Sequence, residues 1–174
     1  MRLVRSFITS AVATLWVAAV VCVPVSAQGQ EGWEPMRWPL LRDGWPNGIA
    51  FDCPNCVGGL SLYVRVKVGF CDCSQGVSND DEIDRVGDVD LVVSEFEPEG
   101  VGSIEQIAGV RGRIRLYRSG ERRIATLAAG RDCNAIVATA VSRNEIGPEA
   151  IAMSLARLSG PDILRFIDNK MSGR

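Results

Sequence analysis

Residues 60–70 read LSLYVRVKVGF, and the alternation in this stretch decides the fold class. Every second residue from Leu60 to Phe70 is apolar, and most of the residues between them are polar or charged. Successive side chains of a β-strand point to opposite faces of a sheet, so a period of two indicates a strand rather than a helix. The stretch therefore predicts an eleven-residue strand with one face on a core and the other face in or near water.

Working outward, turn residues and apolar runs predict the other elements. Further strands are expected at Ile49–Phe51, Val89–Phe96, Arg113–Arg118, Ile124–Ala129 and Asn134–Val141, with a loop at Pro98–Gly102. The strand from Asn134 is nearly all apolar, which is typical of a central position.

Three helices are also indicated. Asn79 with Glu82, or Ser78 with Asp81, has the spacing of a capping box, and Gly87 would end the short helix that follows. Two C-terminal helices are expected to begin near Pro148 and Pro161, because proline is favoured in the first turn and both segments carry an apolar stripe. Strands first and helices last predict an α+β fold: a mainly antiparallel sheet of about five strands, with the two C-terminal helices packed on one face.

The N-terminus has the features of a secretory signal. Residues 1–27 combine two arginines, an apolar stretch and the small-residue ending Val25-Ser26-Ala27, which predicts cleavage after Ala27. An uncleaved anchor and lipidation at Cys22 are the alternatives. Residues 28–48 then form a tryptophan- and proline-rich segment, and residues 49–174 are expected to form a single α+β domain. The predicted location is periplasmic or secreted, with no membrane span after cleavage.

Charge and composition narrow the function classes. After removal of residues 1–27 the chain would carry 17 basic and 21 acidic residues, which argues against general nucleic-acid binding. The chain has no histidine, so the commonest general base and the commonest metal ligand are both missing. The sequence indicates no cofactor, no metal ion and no oligomeric state.

The N-terminal segment holds three tryptophans, Trp33, Trp38 and Trp45, among three prolines. They could form an exposed aromatic surface for a ligand. The more common arrangement is a segment that wraps the domain and packs its tryptophans at the core edge, because a large apolar area in water is costly.

Five cysteines, Cys53, Cys56, Cys71, Cys73 and Cys133, remain after the predicted signal. A four-thiolate zinc site from the first four resembles a zinc-ribbon knuckle, but a straight eleven-residue strand would separate the two pairs by about 35 Å. A thioredoxin-type redox centre at Cys53 and Cys56 would need a helix N-terminus to lower a thiol pKa, and a strand follows instead. Structural disulfides are the favoured interpretation, with a local Cys53–Cys56 pair and a bridge from Cys133 to Cys71 or Cys73.

Arginines alternate on one predicted strand face. Arg111, Arg113 and Arg115, with Arg118 nearby, could hold an anionic ligand or a charge-complementary protein partner in the cell envelope. The simpler interpretation is a solvated outer face of the sheet. The acidic residues between Asp80 and Asp90 do not match an EF-hand loop, so a capped, solvated helix is favoured there over a calcium site.

The sequence therefore predicts a small, exported, disulfide-stabilised binding or accessory protein of unknown ligand, without an evident catalytic motif. A thiol-disulfide oxidoreductase using Cys53 and Cys56 is the first alternative, and a cysteine-ligated metal-binding protein is the second.

Overall fold

The protein is built on one antiparallel sheet of seven strands. The computed structural model describes residues 32–39, 43–70 and 75–173. In these residues the strands are β1 (Glu34–Met36), β2 (Ile49–Cys53), β3 (Leu60–Lys67), β4 (Glu97–Ile107), β5 (Val110–Ser119), β6 (Arg122–Arg131) and β7 (Asn134–Ser142). The helices are α1 (Asp80–Val86), α2 (Pro148–Leu158) and α3 (Pro161–Met171), with a short 3-10 turn at Val89–Leu91. The strands lie in the order β1-β2-β3-β7-β6-β5-β4.

The predicted α+β class and the antiparallel sheet are confirmed, while the predicted detail is wrong in part. The sheet has seven strands in place of about five, whereas the short helix predicted before Gly87 is present as α1 and covers the face opposite the C-terminal pair. Strand β7 lies in the centre of the sheet as predicted, between β3 and β6. Both C-terminal helices begin at their prolines, Pro148 and Pro161.

One face of the sheet carries the main apolar core. Alternate residues of β3, among them Leu62 and Val64, are fully buried here together with Leu127 of β6 and Ile136 of β7. Helices α2 and α3 close this face with a set of buried residues that includes Ala150, Leu158, Ile163 and Ile167. We call this the α2/α3 face, and we call the opposite side the α1 face.

Strand β3 is shorter than predicted and its second face is not in water. It ends at Lys67, after which Val68 and Gly69 form a turn, and Val68 is half exposed. The intervening residues Arg65 and Lys67 are only 2% and 5% exposed, because α1 and the following loop cover them.

The α1 face is covered by residues 77–93. Asn79 caps α1, since its side chain accepts a hydrogen bond of 2.8 Å from the Glu82 backbone N–H, as one of the two predicted capping boxes requires. The strand predicted at Val89–Phe96 is wrong: the segment begins with the 3-10 turn and continues as an irregular loop. Its apolar residues pack onto the sheet from above, Leu91 against Trp38 and Val89 against Tyr117.

Both edges of the sheet are strands that the sequence did not indicate. The predicted loop at Pro98–Gly102 is wrong, because these residues belong to β4, with a register shift between Glu99 and Ser103. Pro35 likewise lies in β1. Proline is tolerated on an edge strand, where one side of the backbone has no partner to bond.

The tryptophans of the N-terminal segment lie against the domain. Trp38 is 9% exposed and its ring meets Tyr63 edge-on at 6.2 Å, while partly buried Trp33 packs against the main core. Trp45 contacts Phe70 at 4.9 Å between ring centroids. In the part of the chain that the structure describes, no helix has the length and apolar character needed to span a membrane.

Candidate ligand groove

A concave site opens on the α1 face where β3 begins and β7 ends. Its volume is about 360 Å³. We call it the arginine groove; its lining residues are Pro39, Gly59, Ser61, Tyr63, Leu91, Val92, Arg122, Val141, Ser142 and Arg143. Segments that are distant in sequence meet there, and its volume lies at the lower end of the range for small-molecule sites.

The sheet register explains why these residues converge. Ser61 pairs with Val141, and Tyr63 pairs with Thr139 two residues further along the strands. Arg123 pairs with Ser142, so Arg122 at the start of β6 and Arg143 just after β7 lie at the same end of the sheet and both line the groove. The groove therefore runs along the strands from Tyr63 to the two arginines, about 13 Å for four residues of strand.

The groove has both apolar and polar lining residues. Leu91, Val92, Pro39 and Val141 are apolar, and the polar residue Ser61 lies beside Val141. Burial raises the pKa of the Tyr63 phenol, the Asp52 carboxylate raises it further, and Arg122 acts in the opposite direction. Tyr63 therefore offers a neutral hydroxyl, while both arginines are exposed cations.

The disulfide turn supports one side of the groove. Cys53 and Cys56 form a disulfide, and the chain then turns through Gly58 and Gly59, both at positive φ. The carbonyl of Gly58 accepts hydrogen bonds from the Arg143 backbone N–H at 3.2 Å and from the Ser142 hydroxyl at 3.1 Å. The turn is thereby fixed to the end of β7, where Arg143 enters the groove.

This disulfide agrees with the predicted local pair. Cys53 and Cys56 are 1% and 8% exposed, and a turn and then β3 follow them, so no helix N-terminus lies next to either sulfur. A buried disulfide without that activating field differs from the environment of a reactive thiol. Disulfides of this kind are typical of exported proteins.

The predicted bridge from Cys133 involves residues that lie outside the described part of the chain, Cys71 and Cys73. Cys133 is itself disulfide-bonded. It directly precedes β7, and Gly69, just after β3, donates to Asn134 at 2.9 Å, so the end of β3 and the start of β7 are neighbours, as the prediction required. That its partner is Cys71 or Cys73 stays a prediction.

The arginines singled out from the sequence have different surroundings. Arg113 and Arg115 are only 11% and 12% exposed and pair with Asp80 of α1, at 2.5 and 3.4 Å. Arg118 is exposed and lies 3.4 Å from Glu97, and Arg111 is exposed at a separate small cavity. This strand face is therefore not an open solvated surface at Arg113 and Arg115, and the structure does not bring all four arginines into one site.

Helix α1 is held to the sheet by three aspartates at a spacing of four residues. Asp80 binds the two β5 arginines, and Asp84 accepts a hydrogen bond of 2.6 Å from the Tyr117 hydroxyl. Asp88, which is 2% exposed, binds both Arg65 and Lys67. The acidic run of the sequence is thus a docking surface for the basic residues of the sheet, where the sequence predicted a solvated helix.

The sequence pattern did not indicate the groove, and it gave no predicted role to Arg122, Arg143 or Tyr63. One signal was present: the β6–β7 hairpin turns tightly after Arg131, which pairs with Asn134, and this register brings the Arg122 end of β6 beside the end of β7 that Arg143 follows. The walls of the groove had no such signal, because they come from the loop after α1 and from the N-terminal segment.

Comparisons with known proteins give no family, since no family model and no curated protein matches the chain. Among the described residues, no three histidine, cysteine, aspartate or glutamate side chains are grouped so that they could hold a metal ion. What the groove can bind has to be inferred from its own residues.

Proposed function

We propose that this protein is a non-enzymatic binding or accessory protein of the periplasm or the extracellular space, and that the arginine groove is its ligand site. The observation that carries the proposal is the groove itself. It is a concave site with apolar lining residues and a few polar groups, which is the common form of a small-molecule site.

Two further features support a binding role. The groove is bordered by parts of the chain that are held in place: the disulfide turn on one side, and on the other the 3-10 turn packed over Trp38 and Tyr117. The hydroxyl of Ser61 donates to Asp52 at 2.7 Å, and the chain has no histidine to serve as a general base. A preformed site without an evident proton-transfer group favours binding over catalysis.

Export is part of the proposal and is supported by the signal-like residues 1–27 and by the Cys53–Cys56 disulfide. The oxidoreductase alternative has a direct test. Purified mature protein is expected to leave insulin disulfides intact in the presence of a thiol reductant, and insulin reduction that Cys53→Ser abolishes would replace the binding proposal with the redox one.

Ligand-observed NMR with a fragment library tests the binding proposal on the mature, oxidised protein. Val92→Trp fills the groove from its wall, and Val101→Trp is the matched control, because Val101 is 85% exposed on β4 outside the groove. We expect a subset of fragments to bind the wild type and the Val101→Trp variant and to lose binding in Val92→Trp. Fragments that bind all three proteins equally, or no binding to the wild type, would overturn the groove as the ligand site.

A further inference from the structure

Most of the arginines that the structure describes are paired with carboxylates, and the exceptions are informative. Of the thirteen described arginines, eight form ion pairs with aspartate or glutamate. Five have no such pair within the described residues: Arg37, Arg111, Arg122, Arg143 and Arg165. Two of these five, Arg122 and Arg143, line the same groove.

Arg122 and Arg143 place two positive charges in one groove without a paired carboxylate. Glu95 and Glu121 line the wider concavity beside the groove, yet neither forms an ion pair with Arg122 or Arg143. Among the residues that the structure describes, no carboxylate lines the arginine groove itself. An anion bound between the two guanidinium groups would supply the missing negative charge.

The rest of the groove has a different character. From the arginine end towards Tyr63, the ligand would contact Val141, Leu91 and Val92, which are apolar and partly or fully buried. A free inorganic anion would leave this apolar length unused.

We propose that the arginine groove binds an organic anion with one carboxylate or phosphate head and an apolar body. The head group lies between Arg122 and Arg143, and the apolar body lies along the groove towards Tyr63. Arginine suits this role because its planar guanidinium group recognises carboxylate and phosphate oxygens with two parallel hydrogen bonds. The inference rests on the proposed function, since it assigns a ligand class to the same site.

Isothermal titration of the mature, oxidised protein with four probes tests the assignment. The probes share an eight-carbon chain and differ in the head group: octanoate, octyl phosphate, octanol and octylammonium. We expect one octanoate or octyl phosphate per protein, at least tenfold weaker binding of octanol, and no binding of octylammonium. Whichever anion binds more tightly identifies the head group.

Substitutions at the arginine end provide the second arm. Arg122→Gln and Arg143→Gln should each weaken octanoate binding by about three- to tenfold, which is the range for exposed charge-assisted contacts. Arg111→Gln is the matched control, an exposed and equally unpaired arginine outside the groove. All three variants should keep the wild-type melting temperature within a few degrees, because the replaced side chains are exposed.

The outcomes separate this inference from the broader proposal. If octanol binds as tightly as octanoate and Val92→Trp removes both, the groove is a ligand site but the anion assignment is wrong. If Arg111→Gln weakens octanoate as much as Arg122→Gln does, the arginine pair is not the head-group site. If none of the probes binds, the assignment fails, and the fragment screen still decides whether the groove binds ligands.

Discussion

Asp88 is the residue whose replacement should destabilise the α1 face most. Its carboxylate accepts two hydrogen bonds from the Arg65 guanidinium group, one of them 2.5 Å long, and lies 2.8 Å from the Lys67 ammonium group. All three side chains are almost fully buried between the sheet and the loop after α1. Asp88→Asn would remove the negative charge and keep the size and shape of the side chain.

The expected loss follows from the charges left behind. Removing one partner of a buried ion pair typically costs about 3 to 5 kcal/mol, because an uncompensated charge stays buried. Arg65 keeps a second carboxylate, Asp43, at 2.6 Å, and Lys67 keeps the Val86 carbonyl at 2.8 Å. We therefore expect a loss near the lower end of that range, about 3 kcal/mol.

Urea denaturation of the mature, oxidised protein measures this loss by linear extrapolation, provided that the m-value is unchanged. The matched control is Asp84→Asn on the same face of the same segment. The Asp84 side chain is 39% exposed, so its ion pair with Arg115 should contribute about 1 kcal/mol or less. A loss below about 1 kcal/mol for Asp88→Asn, or equal losses for the two variants, would show that the buried charges do not hold the α1 layer in place.

Three further outcomes are expected. The pKa of Asp80 lies below its usual value of 3.8 because an arginine of β5 donates a hydrogen bond to the carboxylate. The stabilising contribution of Asp80 is therefore present above about pH 4 and is lost as the pH falls through the folded-state pKa. Asp80→Asn should flatten the acid limb of a plot of unfolding free energy against pH, and an unchanged limb would contradict this. Gly58→Ala should lower the free energy of unfolding by about 2 kcal/mol or more, since φ is +76° and the new Cβ would lie 2.4 Å from a buried serine hydroxyl of β7. Gly120→Ala, with φ of +58° and open space around the new Cβ, should lower it by only about 1 kcal/mol. Equal losses of unfolding free energy in urea titrations would show that the steric contact at Gly58 contributes nothing. Cys133→Ser should lower the melting temperature of oxidised protein more than Cys53→Ser does. A disulfide that closes a loop of about 60 residues contributes about 4 kcal/mol of stability, and one that closes a four-residue loop contributes about 2 kcal/mol. Peptide mapping that pairs Cys133 with neither Cys71 nor Cys73 would refute the proposed connectivity.

The strands and helices that were predicted correctly are those whose signals lie in neighbouring residues of the sequence. The turn residues and apolar runs of β5, β6 and β7 and the prolines at the starts of α2 and α3 depend on neighbouring residues, and the structure confirms those elements. In β3 the alternation also assigned the core face correctly, since Leu60, Leu62, Val64 and Val66 are all buried.

The errors arose where tertiary contacts override local pattern. Val89–Leu91 is apolar enough for a strand, but it fills the space above Trp38 and Tyr117 as a 3-10 turn. The glycines and proline of β4 indicated a loop, and an edge strand tolerates them because only one side of it is paired. The pairing of the α1 aspartates with the sheet arginines could not be read from the sequence, because it depends on the crossing from β3 to the far edge of the sheet.

The arginine groove was missed for the same reason. Its two cations lie 21 residues apart in the sequence and meet only through the β6–β7 register, and its walls come from three other segments. Hairpin register is predictable once a turn is assigned, whereas the packing of a loop over a sheet is not.

Chemical-shift mapping of octanoate on the ¹⁵N-labelled mature protein tests whether the anion binds in the arginine groove. We expect the largest amide shifts at the residues of the arginine groove, with Gly59, Val92 and Arg143 among them, and we expect these shifts to shrink in the Arg122→Gln variant. Shifts concentrated on the α2/α3 face or along β4, or groove shifts that Arg122→Gln leaves unchanged, would contradict this assignment.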